Sequence, residues 1–228
     1  MVMKRNFIIA VALLLTCGLA SLQAQSQASI TKERKLVDKL STSELKEKST
    51  KVARTEAKKL TKQGWQVTPG ALPIEKQLDR AYKMQYEFDD NQYPKYIMAE
   101  AMSVGENYDA AKMQALELAK QNLAGQIQTE ITALIENTVA NQQMEAGKAA
   151  SITKTIAASK NLISQSLGRV LPVTEVYRSS KQNKEVLVRI AYNSEMAKQA
   201  AIKVIKQELE KKGEDLHEQL DKVMGIQK

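Results

Sequence analysis

The sequence predicts an α+β fold: a small, mostly antiparallel sheet of three or four strands packed on long helices, behind an N-terminal helical extension. Three runs alternate apolar and polar residues with the period of a strand. The stretches between them repeat apolar residues every three or four positions, as helices do. A short polar link between the last two strand runs indicates a β-hairpin. The most economical arrangement places the helices on one face of the sheet.

The N-terminus has the layout of a secretory signal peptide. Lys4 and Arg5 precede the apolar run 7–15, which is too short to span a bilayer, and small and polar residues lead to Ala24. We therefore expect residues 1–24 to be a signal peptide. The mature protein is then exported, to the periplasm or to an outer-membrane association.

Cys17 makes a lipoprotein signal peptide the alternative interpretation of residues 1–24. A cysteine just after the apolar run is a candidate for lipidation, although Thr16 is larger than the small residue that usually precedes a lipidated cysteine. Cleavage after Ala24 would instead leave a mature chain with no disulfide, no thiolate nucleophile and no cysteine metal ligand.

Positive charge is concentrated after the leader. Residues 25–63 hold 11 Lys and Arg against 5 Asp and Glu, whereas residues 64–228 hold 21 of each sign. This basic helical segment is either a solvated tether or a surface that meets anionic lipid head groups or glycan. Nucleic-acid binding is not expected, because the chain is predicted to be exported and the basic segment contains no aromatic residue.

The elements follow in order along residues 25–95. Ser43 is a candidate N-cap for a basic helix that stops at Gly64. Residues 65–67 can add a short fourth strand, and residues 68–70 (Thr-Pro-Gly) form a turn. A second helix starts near Pro73, and a polar loop separates it from the first long strand.

Residues 96–104 alternate as a strand, and either Asn107 or Asp109 can cap the long helix that follows. The apolar stripe of that helix is Ala115 or Leu116, Ala119, Leu123, Ile127, Ile131, Leu134 and Thr138. Gly147 indicates a break, after which a helix carrying Ile152, Ile156, Ile163 and Leu167 ends at Gly168.

Residues 170–178 and 185–192 are predicted to form the hairpin. Asn193 or Ser194 caps the last helix, whose inner face is Met196, Ala200 or Ala201, Val204 or Ile205, and Leu209. Gly213 interrupts it, and Leu216, Leu220 and Val223 indicate a charged, coiled-coil-like tail. We assign residues 64–228 to one α+β envelope module.

The junction at Gly105 has the outline of a phosphate-binding turn, since a strand ends where a capped helix begins. Such a site usually needs several glycines. Here Glu106 and Asp109 bring negative charge to a single glycine, which favours a structural turn.

No other motif carries recognisable chemistry. His217 is the single histidine and lacks partners for a triad or a metal site, and residues 89–91 (Asp-Asp-Asn) lack the spacing of a calcium loop. We therefore expect no catalytic residue, metal or cofactor. A pair of glycosidase carboxylates distant in sequence is left open.

Aromatic residues are the candidates for binding. Trp65 either plugs the sheet edge against the helix after Pro73 or anchors a partner. Tyr93, Tyr96, Tyr177 and Tyr192 are predicted to line a sheet surface.

A family resemblance follows from residues 97–131, which read IMAEAMSVGENYDAAKMQALELAKQNLAGQIQTEI, and from the later segments VTEVYR and EVLVRIAYN. This pattern resembles the Helicobacter-type surface lipoprotein (Lpp-twenty-like) family and is similar to the N-terminal module of the flagellar-assembly T protein. The shared features are a strand ending in a small residue and the helix positions Ala115, Ala119, Asn122, Leu123, Ala124 and Ile127. The resemblance implies a compact α+β envelope module without catalytic residues to carry over.

Together these observations predict an exported, non-enzymatic cell-envelope protein with a binding or assembly role. Its partner would be an envelope protein or an anionic membrane or glycan surface, and its helices could also join two copies of the chain. The alternatives are an exported enzyme acting on cell-wall glycan, or a membrane-surface binder that uses the basic helices.

Overall fold

The computed structural model describes residues 46–141, 144–213 and 216–224, and it confirms the α+β class. These residues form seven helices and one three-stranded antiparallel sheet. In chain order the elements are α1 (Lys51–Lys62), α2 (Ile74–Gln85), β1 (Tyr96–Gly105), α3 (Tyr108–Ala140), α4 (Ala146–Ala158), α5 (Lys160–Ser166), β2 (Leu171–Ser180), β3 (Asn183–Asn193), α6 (Ser194–Lys211) and α7 (His217–Met224).

The sheet has the order β1-β3-β2, with β3 in the centre. The predicted hairpin is confirmed, but its strands extend through most of the polar link and leave only residues 181–182 as the turn. A predicted fourth strand reduces to a single bridge between Gln66 and Tyr177. One edge strand of the sheet is therefore β1, and the other is β2, which the bridge to Gln66 partly covers.

Helices cover both faces of the sheet, and the expectation of a single covered face is wrong. The side chains of Val186, Val188, Ile190 and Tyr192 belong to the main core with α3 to α7. On the other face, Val176 packs in a second cluster with residues of α1 and α2. The physical reason is that β2 and β3 carry apolar residues on both faces, and α1 and α2 each have an apolar side to bury.

Helix α1 belongs to the compact unit Ser49–Lys228. It begins after Thr50, whose hydroxyl accepts a hydrogen bond from the Ala53 N–H, whereas Ser43 lies outside the described residues. It ends as predicted at Gly64, which has φ of 86° and lets the Trp65 N–H reach the Leu60 carbonyl at 3.0 Å. This capped end turns the chain back onto β2.

Helix α3 is 33 residues long and is capped by Asn107, whose side chain accepts from the Ala110 N–H at 2.9 Å. The predicted stripe is confirmed as far as Ile131. Beyond it, Ile135 is buried and Leu134 is 37% exposed, so the prediction of Leu134 is wrong. The buried row advances by four residues at each step, which rotates it by about 40° each time. Along α3, the buried side therefore faces the sheet in the first half of the helix and the neighbouring helices in the second half.

Two further expectations for the C-terminal half are corrected. Gly147 lies inside α4, and the break comes before it, between α3 and α4. Met196 is 56% exposed, and Ala197 takes the buried place in α6. The three apolar positions predicted after Gly213 are confirmed, because Leu216 and Leu220 are buried in the main core and Val223 packs against it.

Gly105 is required by close packing. A Cβ atom at this position would lie 2.7 Å from the Ala111 backbone nitrogen and 3.1 Å from its Cα. The hydroxyl of Ser103 donates to the Ala111 carbonyl at 2.6 Å and holds the same contact. The junction therefore has a packing explanation that requires no ligand.

Gly105→Ala is expected to lower the free energy of unfolding by about 1–3 kcal/mol, because the first turn of α3 must move away from β1. Gly147→Ala is the matched control: no atom lies within 4 Å of its would-be Cβ, and a helical Ala is favoured over Gly by roughly 0.8–1 kcal/mol. Chemical denaturation of the two variants measures both values. Equal effects of the two substitutions would contradict the close-packing explanation.

Candidate functional site

A groove with a volume of about 990 Å³ runs along the outer edge of β1. We call it the β1 groove. Its lining combines the end of α2, the loop and strand segment 89–100, the middle of α3 between 126 and 137, Arg189 of β3, and the start of α6 with the residue before it (193–198). Five elements therefore meet at one surface: α2, β1, α3, β3 and α6.

The floor of the β1 groove is the edge of the strand itself. The side-chain amide of Gln126 donates to the Met98 carbonyl, and that of Asn122 donates to the Glu100 carbonyl, each at 3.0 Å. The two amides lie four residues apart and thus on one side of α3. They fix the strand edge against the helix and satisfy two of its backbone acceptors.

One wall is the loop before β1, and its own hydrogen bonds hold it in shape. The Asp89 carboxylate accepts from the N–H groups of Asn91 and Tyr93, each at 2.9 Å. Ser194 then ties the end of the loop to α6, since its hydroxyl donates to the Pro94 carbonyl at 2.7 Å and its N–H to the Lys95 carbonyl at 3.0 Å. The wall is therefore formed before any ligand arrives.

Two ion pairs contribute charged side chains to the β1 groove. Arg189 and Glu100 face each other across β1 and β3, with the Arg189 Nη2 2.8 Å from a Glu100 carboxylate oxygen. Lys95 pairs with Glu87, and the hydrogen bond and negative charge of Glu87 raise the pKa of the Lys95 ammonium. These pairs keep the walls polar without creating a strong field of one sign.

Tyrosine rings supply the apolar contact surface. Tyr93 is 65% exposed, and the ammonium of Lys198 lies 5.8 Å from its ring centroid. Tyr96 is half-buried, with the ammonium of Lys95 5.7 Å from its ring. Aromatic faces beside amides and paired charges are suited to recognition of a polar ligand.

The structure places the aromatic residues that were predicted to bind in different parts of the fold. Tyr93 and Tyr96 line the β1 groove. Trp65 is 5% exposed and sits in the second cluster, with the Arg178 guanidinium carbon 4.6 Å from its ring centroid. Tyr192 is buried in the main core. The candidate lipidation site, Cys17, lies outside the described residues.

Tyr177 belongs to a polar cluster that joins the start of α3 to β2. Its ring meets Tyr108 edge to face at 5.3 Å between centroids. The Tyr108 hydroxyl donates to the Glu175 carboxylate, and the Lys112 ammonium lies 2.9 Å from the same group. Burial and this hydrogen bond raise the pKa of Tyr108. Burial alone would lower the pKa of Lys112, but Glu175 outweighs it and raises that pKa.

The remaining candidates for chemistry are structural in this geometry. The Asp89 carboxylate caps its own loop, and the His217 imidazole lies 3.5 Å from a Glu210 carboxylate oxygen. In the three described ranges, no group of three or more His, Cys, Asp or Glu residues could hold a metal ion. Over the same residues, no helix combines the length and apolarity needed to cross a bilayer.

Sequence reasoning missed most of the β1 groove. In the sequence, Tyr82 is only one of two possible members of a helical stripe, and Gln126 looks like an ordinary polar residue on the exposed side of a helix. The one usable signal was the tyrosine pair around Pro94, at the entrance to a strand. No protein-family model, curated protein or solved structure matches the chain, so the resemblance to surface lipoproteins stays a prediction.

Proposed function

We propose that this is an exported, non-enzymatic protein of the cell envelope that binds a partner through the β1 groove. The observation that carries the proposal is the groove itself, which is held in shape by hydrogen bonds from Asn122, Gln126 and Ser194. A rigid, preformed surface loses little conformational entropy on binding.

The chemistry of the lining supports binding. Its aromatic faces are exposed, whereas Arg189 and Glu100 are engaged with each other. A nucleophile or a general base must be free to reach a substrate, and this pair is held by the sheet instead. The leader of the sequence and its resemblance to envelope lipoproteins support an exported location for the same binding role.

In-cell crosslinking tests the proposal. A photoreactive side chain at position 93, at the exposed rim of the groove, should capture a reproducible envelope partner that mass spectrometry identifies. The control is position 113, where Met113 is 73% exposed on α3 and is not part of the groove lining. Equal capture at both positions, or none at position 93, would overturn the groove as the binding site.

A second assay tests the non-enzymatic part. Purified protein incubated with isolated cell walls should release no soluble glycan fragments. Release that stops in Glu130→Gln, which alters a carboxylate in the groove lining, would establish the alternative of a glycan-cleaving enzyme.

A further inference from the structure

Helix α1 presents a row of cations on the side opposite its buried residues. Lys51, Lys58 and Lys62 are all exposed. Spacings of seven and four residues place them within about 40° of one another around the helix axis. Ala53 and Ala57, which are buried in the second cluster, lie on the other side. We call this row the lysine face.

The lysine face is not neutralised by its neighbours. Within the described residues, no ion pair joins Lys51, Lys58 or Lys62 to a carboxylate. The one carboxylate of α1, Glu56, accepts a hydrogen bond from the Tyr82 hydroxyl of α2 instead. The lysine face and its flanking residues on α1 therefore carry an excess of positive charge, with five Lys and Arg against one Glu in the helix.

The neighbouring helix extends this positive surface. Both α1 and α2 pack against the second face of the sheet, so their outer sides form one layer. The exposed Arg80 lies on α2 opposite its buried residues Ile74, Leu78 and Ala81. Arg54 and Lys59 flank the row on α1 itself. The layer thus carries a broad cationic surface, not an isolated charge.

The sequence shows that this charge is local. Residues 46–62 hold seven Lys and Arg against two Asp and Glu, while residues 64–228 are balanced. A general need for solubility would spread the excess over the surface. Here most of the excess of the basic segment falls on or just before one 12-residue helix.

We propose that the lysine face docks on the anionic phospholipid surface of a bilayer. Its cations run along about 16 Å of helix, a geometry that matches a plane of charges better than a single bound ion. This docking is independent of the β1 groove.

Vesicle co-sedimentation of residues 25–228 tests the docking, because this chain lacks Cys17 and cannot be lipid-anchored there. The variant Lys51→Gln/Lys58→Gln/Lys62→Gln is compared with Lys154→Gln/Lys160→Gln/Lys203→Gln. The second variant removes the same charge from exposed positions on α4, α5 and α6. Circular dichroism of both variants checks that the helices are retained.

We expect binding to mixed phosphatidylglycerol and phosphatidylcholine vesicles that weakens as salt is raised. Each lysine near an anionic leaflet contributes about fivefold to the partition coefficient, so the lysine-face variant should bind about 100-fold more weakly. The control variant should bind nearly as the parent chain does.

Three results would overturn the proposal. These are no binding to the mixed vesicles, equal binding to pure phosphatidylcholine, and equal loss in the two variants. Tighter, lysine-face-dependent binding to a soluble anionic glycan than to the mixed vesicles would also reject a lipid surface and would name glycan as the occupant.

Discussion

Trp65→Ala is expected to lower the free energy of unfolding by about 3–5 kcal/mol. The indole is 5% exposed and packs with Ile74, Leu78 and Val176, so its removal leaves a cavity between the sheet and α2. The substitution also removes the ring on which the Arg178 guanidinium rests. Urea denaturation followed by circular dichroism measures the change without depending on the lost fluorophore.

Tyr86→Ala is the control for this variant, since Tyr86 follows α2 directly and its side chain is 70% exposed. We expect it to change the free energy of unfolding by no more than about 0.5 kcal/mol. A stable Trp65→Ala protein that loses its partner would instead favour the alternative in which Trp65 is a binding anchor.

Leu123→Ala is expected to cost about 2–5 kcal/mol of stability, whereas Leu134→Ala in the same helix should cost no more than about 1 kcal/mol. Leu123 is fully buried in the main core, and Leu134 is 37% exposed. The pair compares identical substitutions in one helix, so helix propensity cancels. Chemical denaturation of both variants gives the difference.

The same pair tests the rotation of the buried row along α3. Equal losses of stability in Leu123→Ala and Leu134→Ala would mean that Leu134, not Ile135, continues the buried row. The packing described above for the second half of α3 would then be contradicted. Ile135→Ala should behave like Leu123→Ala in this series, because Ile135 is fully buried.

The elements with one dominant period were predictable from sequence. The apolar residues of helix α3 and strand β3 follow a clear helical or strand period because most of them pack into a single large core. The switch from Leu134 to Ile135 was not predictable. Leu134 and Ile135 lie three and four residues after Ile131, and both spacings suit the buried side of a helix. Only the packing of α4 and the other helices against α3 determines which of the two is buried.

The second face of the sheet was missed for a related reason. The expectation of helices on one face leaves the alternate positions of β3 uncovered, yet one of them, Ala191, is buried with Ala81 of α2. Such a contact joins residues far apart in sequence and leaves no local pattern. The β1 groove is the extreme case, since its geometry exists only after five elements have been assembled.

The two edges of the sheet limit how this protein can associate. On β1, a new strand would first have to displace the amides of Asn122 and Gln126. On β2, Gln66 already exchanges backbone hydrogen bonds with Tyr177, at 2.8 and 2.9 Å. Sideways growth of the sheet, the usual route to fibrils and to strand exchange, is therefore hindered at both ends. A ligand in the β1 groove would consequently contact side chains and not the backbone of the strand edge. Copies of the chain at high concentration can also remain separate.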